Sequence, residues 1–242
     1  MREVRIYQAG SYQQGQTFEL SPEAGQHVGV VLRMQVGDQL TLFSGANHEC
    51  LAVIESVKKR QVQVRLGMVR EVNRESTLNI HLAQAISKGD RMDLVMQKAV
   101  ELGVSSITPI ITQRCSLKLE KERLAKKLAQ WQAIVIAACE QSGRNTVPIV
   151  NAVIFLDEFL ANNARGLCLL LDPKATNTWR DYAFNKSECT LLIGPEGGLS
   201  DEEIQAALAK GFHSLSLGPR ILRTETAAIA ALSILQAVAG DF

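Results

Sequence analysis

The chain has almost no excess of either charge. Its 26 Lys and Arg stand against 25 Asp and Glu, a net charge of +1 over 242 residues, so bulk electrostatics do not announce a nucleic-acid binder. No apolar run approaches the roughly 18–20 residues that a membrane helix needs. The opening MREVRIYQAG has no signal-peptide apolar core, and a cytoplasmic protein is therefore expected. The cysteines Cys50, Cys115, Cys139, Cys168 and Cys189 are odd in number, scattered and without a C-x-x-C pair, which predicts reduced thiols serving as small hydrophobes. His27, His48, His81 and His213 lack metal-ligand spacing, so no metal is expected. There is no G-x-x-x-x-G-K-[ST], and no G-x-G-x-x-G follows a predicted strand, so a phosphate cradle of the usual kind is excluded.

What is present is ordinary for a globular chain, 46% hydrophobic and 21% charged residues, and the length suits two domains. Residues 1–72 read as short strands with tight turns. Strands are predicted at 5–7, 39–43, 49–57 and 61–69, with a helix opening at Pro22 and running to about Met34. Val62, Val64 and Leu66 alternate with polar neighbours, the period of a half-buried strand, and the set suggests a small barrel. Lys58-Lys59-Arg60 is either a solvated hairpin tip or an RNA-backbone contact. The polar stretch 70–76 reads as a linker. Beyond it strands (78–85, 107–111, 167–171) alternate with helices, which predicts an α/β domain with a parallel sheet. One helix is expected from Asp90 to Gly103, with Met92, Val95, Met96, Ala99 and Leu102 inward, and a longer one from Glu120 to Gln141. Residues 177–187 read as a surface connection. The basic residues cluster at Lys118 to Lys127, and Lys121, Lys126 and Lys127 read as a solvated face of that helix.

The most informative stretch is Leu191 to Ala228. Two short apolar strands, 190–193 and 215–217, each run into a glycine-proline turn, Gly194-Pro195-Glu196-Gly197-Gly198 and Gly218-Pro219-Arg220. Each turn leads to a helix start. Ser200 with Glu203 forms a capping box, and Thr224 is the expected cap of the alanine-rich last helix. Loops at the carboxyl ends of strands are where α/β sheets bind ligands.

IGPEGGLS followed by LGPRILRTETA resembles the SPOUT-class RNA methyltransferases, and more narrowly the bacterial enzymes that make 3-methyluridine in 16S ribosomal RNA. The resemblance also covers RIY, HVGVVLRM at 27–34, KGDRMDLVMQKAVELGVSSITPI at 88–110, ACEQSGRNTVP at 138–148 and LDPKA at 171–175. It implies a PUA-like β-barrel RNA-binding domain over 1–72 and a knotted parallel-sheet α/β domain over 73–242, the segment from about Leu191 tucked through an earlier loop. It implies S-adenosylmethionine as cofactor, held by Leu171, Gly194, Gly197, Gly198, Leu217, Gly218 and Leu222. Lys88, Arg91, Arg144, Arg5 and Arg33 are the RNA-side candidates, and the implied partners are 16S ribosomal RNA within the small ribosomal subunit and a second copy in a homodimer. Methylation at uridine N3 must also remove one proton. Glu196 and Glu225 are the candidate bases, and Arg223 the candidate for stabilising charge on the uracil oxygens. Other readings are a ribose 2′-O-methyltransferase of the same superfamily, an RNA-binding protein without catalysis, and a nucleotide-phosphate enzyme.

Overall fold

The computed structural model describes residues 3–115, 121–162, 164–185 and 187–242. Lys118 and the expected helix start at Glu120 lie outside the described residues. The chain divides into two compact units, residues 1–75 with 139–147, and residues 76–138 with 148–242. A contiguous division at 72/73 would assign 139–147 to the second unit; they belong to the first.

The first unit holds β1 (Arg5–Tyr7), β2 (Thr17–Glu19), α1 (Pro22–Gln26), β3 (Gln39–Phe43), β4 (His48–Lys58) and β5 (Gln61–Glu71). Its sheet runs β1-β3-β4-β5-β2, with β1 parallel to β3 and the other pairs antiparallel. The alternation of β5 works as its sequence implies, Val62, Val64 and Leu66 pointing into a core with Ile6, Leu40, Leu42 and Ile54. The expected helix to Met34 stops sooner. Ser21 caps α1 by accepting from the Ala24 N–H, and from His27 to Val31 the backbone widens into a π-helical turn. Gly25 and Gly29 lie under the β4–β5 hairpin tip. A Cβ at Gly25 would stand 2.0 Å from the Arg60 carbonyl oxygen, and one at Gly29 2.6 Å from that of Lys59.

The second unit is an all-parallel sheet with helices between its strands. Its elements are β6 (Asn79–Ala85), α2 (Arg91–Glu101), β7 (Ser106–Ile111), α3 (Lys121–Ser142), β8 (Ile149–Val150), β9 (Ile154–Phe155), α4 (Leu156–Asn162), β10 (Leu167–Leu171), β11 (Glu188–Ile193), α5 (Asp201–Ala209), β12 (His213–Leu215) and α6 (Thr224–Ala239). The last four residues of α3, Cys139 to Ser142, belong to the first unit. The sheet order is β12-β10-β11-β6-β7-β8, and β9 also pairs with β7. β11 therefore inserts between β10 and β6, both of which precede it in the chain. Burial on both faces explains why β10 and β11 read as unbroken apolar runs, and Leu169, Leu170, Leu191 and Leu192 are fully buried. α2 packs its Met92, Val95, Met96 and Ala99 face inward, although Val100 rather than Leu102 completes it. β12 ends at Leu215, two residues earlier than expected, because the Ser216 N–H turns away to the Asn177 carbonyl. The 177–187 connection contains a short 3-10 turn, Trp179–Asp181, capped by Thr178.

Candidate active site

The carboxyl ends of β6, β7, β10, β11 and β12 all deliver their following residues to one cavity of about 580 Å³. Its wall takes Arg91 after β6, Arg114 after β7, Leu171 to Lys174 at the end of β10, Ile193 to Leu199 after β11, and Ile221 to Thr224 after β12. Leu171, Ile193, Leu199, Ile204, Leu222 and Ala227 make that wall largely apolar. Of the seven candidate cofactor positions, Leu171, Gly194, Gly197, Gly198 and Leu222 line this cavity. Leu217 and Gly218 line a smaller adjoining one that shares Leu171 and Leu222.

The first glycine loop is built by backbone need. Gly198 has φ 69° and its N–H closes a turn onto the Pro195 carbonyl at 2.9 Å. Immediately after it the expected capping box forms, Ser200 accepting from the Glu203 N–H at 3.2 Å and Glu203 accepting from the Ser200 N–H at 2.8 Å. Glu203 also accepts the Gln113 N–H at 2.7 Å, which fixes the turn after β7. From that turn Arg114 donates to the carbonyls of Gly197 at 2.9 Å and Leu199 at 3.2 Å. Sequence reasoning missed Arg114, because nothing near it in the chain marks a partner 83 residues away.

The second loop corrects one local expectation. Arg223, in extended conformation, occupies the N-cap position of α6 without a side-chain bond, and Thr224 is the first helical residue. The Thr224 hydroxyl turns instead toward the first glycine loop, donating to the Gly194 carbonyl at 2.8 Å.

Three of the charged candidates meet. Arg91 donates to Glu196 at 2.7 Å, and its Nε lies 3.8 Å from Oε1 of Glu225. Glu196 also accepts the Lys88 N–H at 2.9 Å. Burial pushes the Glu196 carboxyl up, but the Lys88 N–H, its own backbone N–H and Arg91 together outweigh that and hold it below its ordinary value. Glu225 is different: only 8% exposed, it keeps Oε2 buried without a hydrogen-bond partner among the described residues. Glu196 lines the cavity, as do Arg91 and Arg223; Glu225 adjoins it through Arg91.

Two RNA-side candidates are paired within the first unit. Arg144 is 5% exposed and forms a bidentate pair with Glu75, and Arg5 is buried between Glu49, Asn145 and the Phe43 ring. Both guanidiniums are engaged with carboxylates of the first unit. Arg91, expected on RNA, faces the cavity. Lys88 and Arg33 are exposed.

Residues 74–236 match the RNA methyltransferase domain family, and residues 20–67 match the RNA methyltransferase PUA domain family. The ribosomal RNA small subunit methyltransferase E of Buchnera aphidicola (subspecies Schizaphis graminum) is 37% identical over 238 residues, 98% of this chain and 97% of its own length. A crystal structure of the Neisseria gonorrhoeae ribosomal RNA small subunit methyltransferase E, bound to S-adenosyl methionine, superimposes with a TM-score of 0.92 at 39% identity, covering 100% of both chains. The structure of a Legionella pneumophila methyltransferase in complex with the cofactor SAM matches with a TM-score of 0.98 at 60% identity, again over 100% of both.

Proposed function

The chain belongs to the ribosomal RNA small subunit methyltransferase E family, and from that premise we propose that it methylates ring nitrogen 3 of a uridine in 16S ribosomal RNA, using S-adenosylmethionine. The observation that carries this reading is the convergence of five strand ends on one cavity with apolar walls, two glycine loops and no phosphate-binding lysine motif. Its volume falls within the roughly 300–1,000 Å³ of small-molecule sites. Leucine and isoleucine walls suit an adenine ring, and loop carbonyls and N–H groups can read its edge at Gly194, Gly197 and Gly198, with Leu217 and Gly218 beside Leu171 and Leu222. The bound cofactor supplies the electrophilic methyl group. What falls to this chain is to position the uracil and manage its N3 proton.

Glu225, with one free carboxylate oxygen, is the proton acceptor, directly or through one water. Glu196 is committed to the Lys88 N–H and to Arg91, so its work is to hold Arg91 at the cavity wall. Arg91 and Arg223 there offset negative charge spreading onto the uracil oxygens. On the RNA side, exposed Lys88, Arg33 and the hairpin tip Lys58-Lys59-Arg60 contact the phosphate backbone, the PUA-like first unit serving as the RNA holder and the parallel-sheet second unit as the catalytic domain. Among the described residues no helix is long and apolar enough to cross a membrane. A cytoplasmic C2 homodimer fits the half-buried Ile229 and Ile234 on α6; a monomer mass by light scattering would refute the dimer. The cofactor reading is tested by thermal unfolding: S-adenosylmethionine raises the melting temperature with concentration and ATP does not. Stabilisation by ATP alone would overturn it.

A further inference from the structure

We propose that Gln84 and Thr224 form a positioning pair that sets the spacing between the two glycine loops, and with it the affinity for cofactor; this rests on the cofactor reading above. Gln84 is fully buried near the carboxyl end of β6, opposite Ile193 in the β11 register. Its Nε2 donates to the Thr224 hydroxyl at 3.0 Å and to the Ala85 carbonyl at 3.1 Å. Thr224, 5% exposed, donates in turn to the carbonyl of Gly194, the first residue of the other loop, at 2.8 Å. A hydroxyl has one proton, so once that proton is given to Gly194 the oxygen accepts from Gln84, and the order of the relay is fixed. Three separated segments, β6, the start of α6 and the loop after β11, are thus joined at one side chain that also lines the cavity. Arg114 holds the far end of the first loop at Gly197 and Leu199; Thr224 alone of these two couples that loop to the second.

A merely structural hydrogen bond would make stability and affinity change together, whereas a positioning pair lets them separate. Thr224→Val keeps the shape but leaves the Gly194 carbonyl without its donor and one N–H of the Gln84 amide without its acceptor in a buried place, which lowers both melting temperature and affinity. Gln84→Leu with Thr224→Val removes the stranded amide but leaves the Gly194 carbonyl without its donor, so the unliganded protein regains only part of its melting temperature while the loops stay uncoupled. Titration calorimetry with S-adenosylmethionine on the full chain should show binding weakened about tenfold in Thr224→Val and in the double variant, and within about threefold of wild type in Thr224→Ser. KM for the cofactor should rise by a similar factor. Affinity that recovers in step with melting temperature in the double variant, or a Thr224→Val protein that binds as wild type does, overturns the pair. Absence of binding by wild type itself would instead overturn the cofactor reading on which the pair depends.

Discussion

Glutamine substitutions at Glu225 and Glu196 separate two roles that the sequence alone leaves interchangeable. Glu225→Gln removes a carboxylate beside the cavity that keeps one buried oxygen without a hydrogen-bond partner among the described residues. Loss of a general base costs about 10²–10⁴ in rate, so kcat should fall by that much while cofactor affinity stays within about threefold. Folding is little affected, because Arg91 stands 3.8 Å from Glu225 and keeps its shorter bond to Glu196. Glu196→Gln removes a 2.7 Å ion pair whose side chains are 39% and 30% exposed, a pair worth no more than about 1 kcal/mol. The amide oxygen of the introduced glutamine still accepts the Lys88 N–H and can accept from Arg91, so kcat should drop no more than about tenfold, or roughly 1.4 kcal/mol. The assay is single-turnover transfer of labelled methyl to small-subunit RNA across pH. A severe loss in Glu196→Gln with near-normal turnover in Glu225→Gln would refute the assignment and make Glu196 the base.

Arg223→Ala should lower kcat about 10²–10³-fold with melting temperature unchanged, since its side chain caps nothing and its role lies in charge stabilisation; steady-state kinetics checks this. Arg144→Ala should destabilise the protein by about 2–4 kcal/mol, because Glu75 is left largely buried without its partner, as denaturant unfolding would show. RNA affinity of the folded fraction should not change. His81 gives a pH signature. Burial, with Arg165 adding to it, lowers its pKa from 6.5 to about 4, and its ring bonds to the Thr108 hydroxyl at 2.8 Å. The unfolded chain therefore takes up this proton first, so stability is fully present above about pH 6.5 and is lost as pH falls toward 4, on the order of 3 kcal/mol in all. His81→Gln should flatten that part of the profile in melting curves between about pH 7 and 5.

The features legible in the sequence are those whose causes are local. The Ser200–Glu203 capping box, the strand alternation at 62–66, the apolar runs of β10 and β11 and the two glycine turns each follow from residues within one or two turns of chain, and each appears in the structure. Partnerships across the fold were not legible. Thr224 reads as a helix cap until the Gly194 carbonyl, 30 positions earlier, proves to be its acceptor. Arg144 reads as a cation near a polar loop until Glu75, 69 positions earlier, takes up its guanidinium. Arg91 reads as an RNA-side candidate, yet Glu196, 105 positions on, holds it at the cavity. The short elements β2, β8, β9 and α4 were missed for a related reason: two to seven residues hold too little periodicity to stand out, and their pairing partners supply the order.

The most direct test of the central claim is the chemical identity of the product. Purified protein is incubated with small ribosomal subunits lacking the modification and with S-adenosylmethionine carrying an isotopically labelled methyl group, and the RNA is digested to nucleosides for mass spectrometry. The account predicts one labelled nucleoside, 3-methyluridine, with the methyl on the base. Label on a ribose 2′-oxygen, or no label from a protein that binds the cofactor, would contradict it.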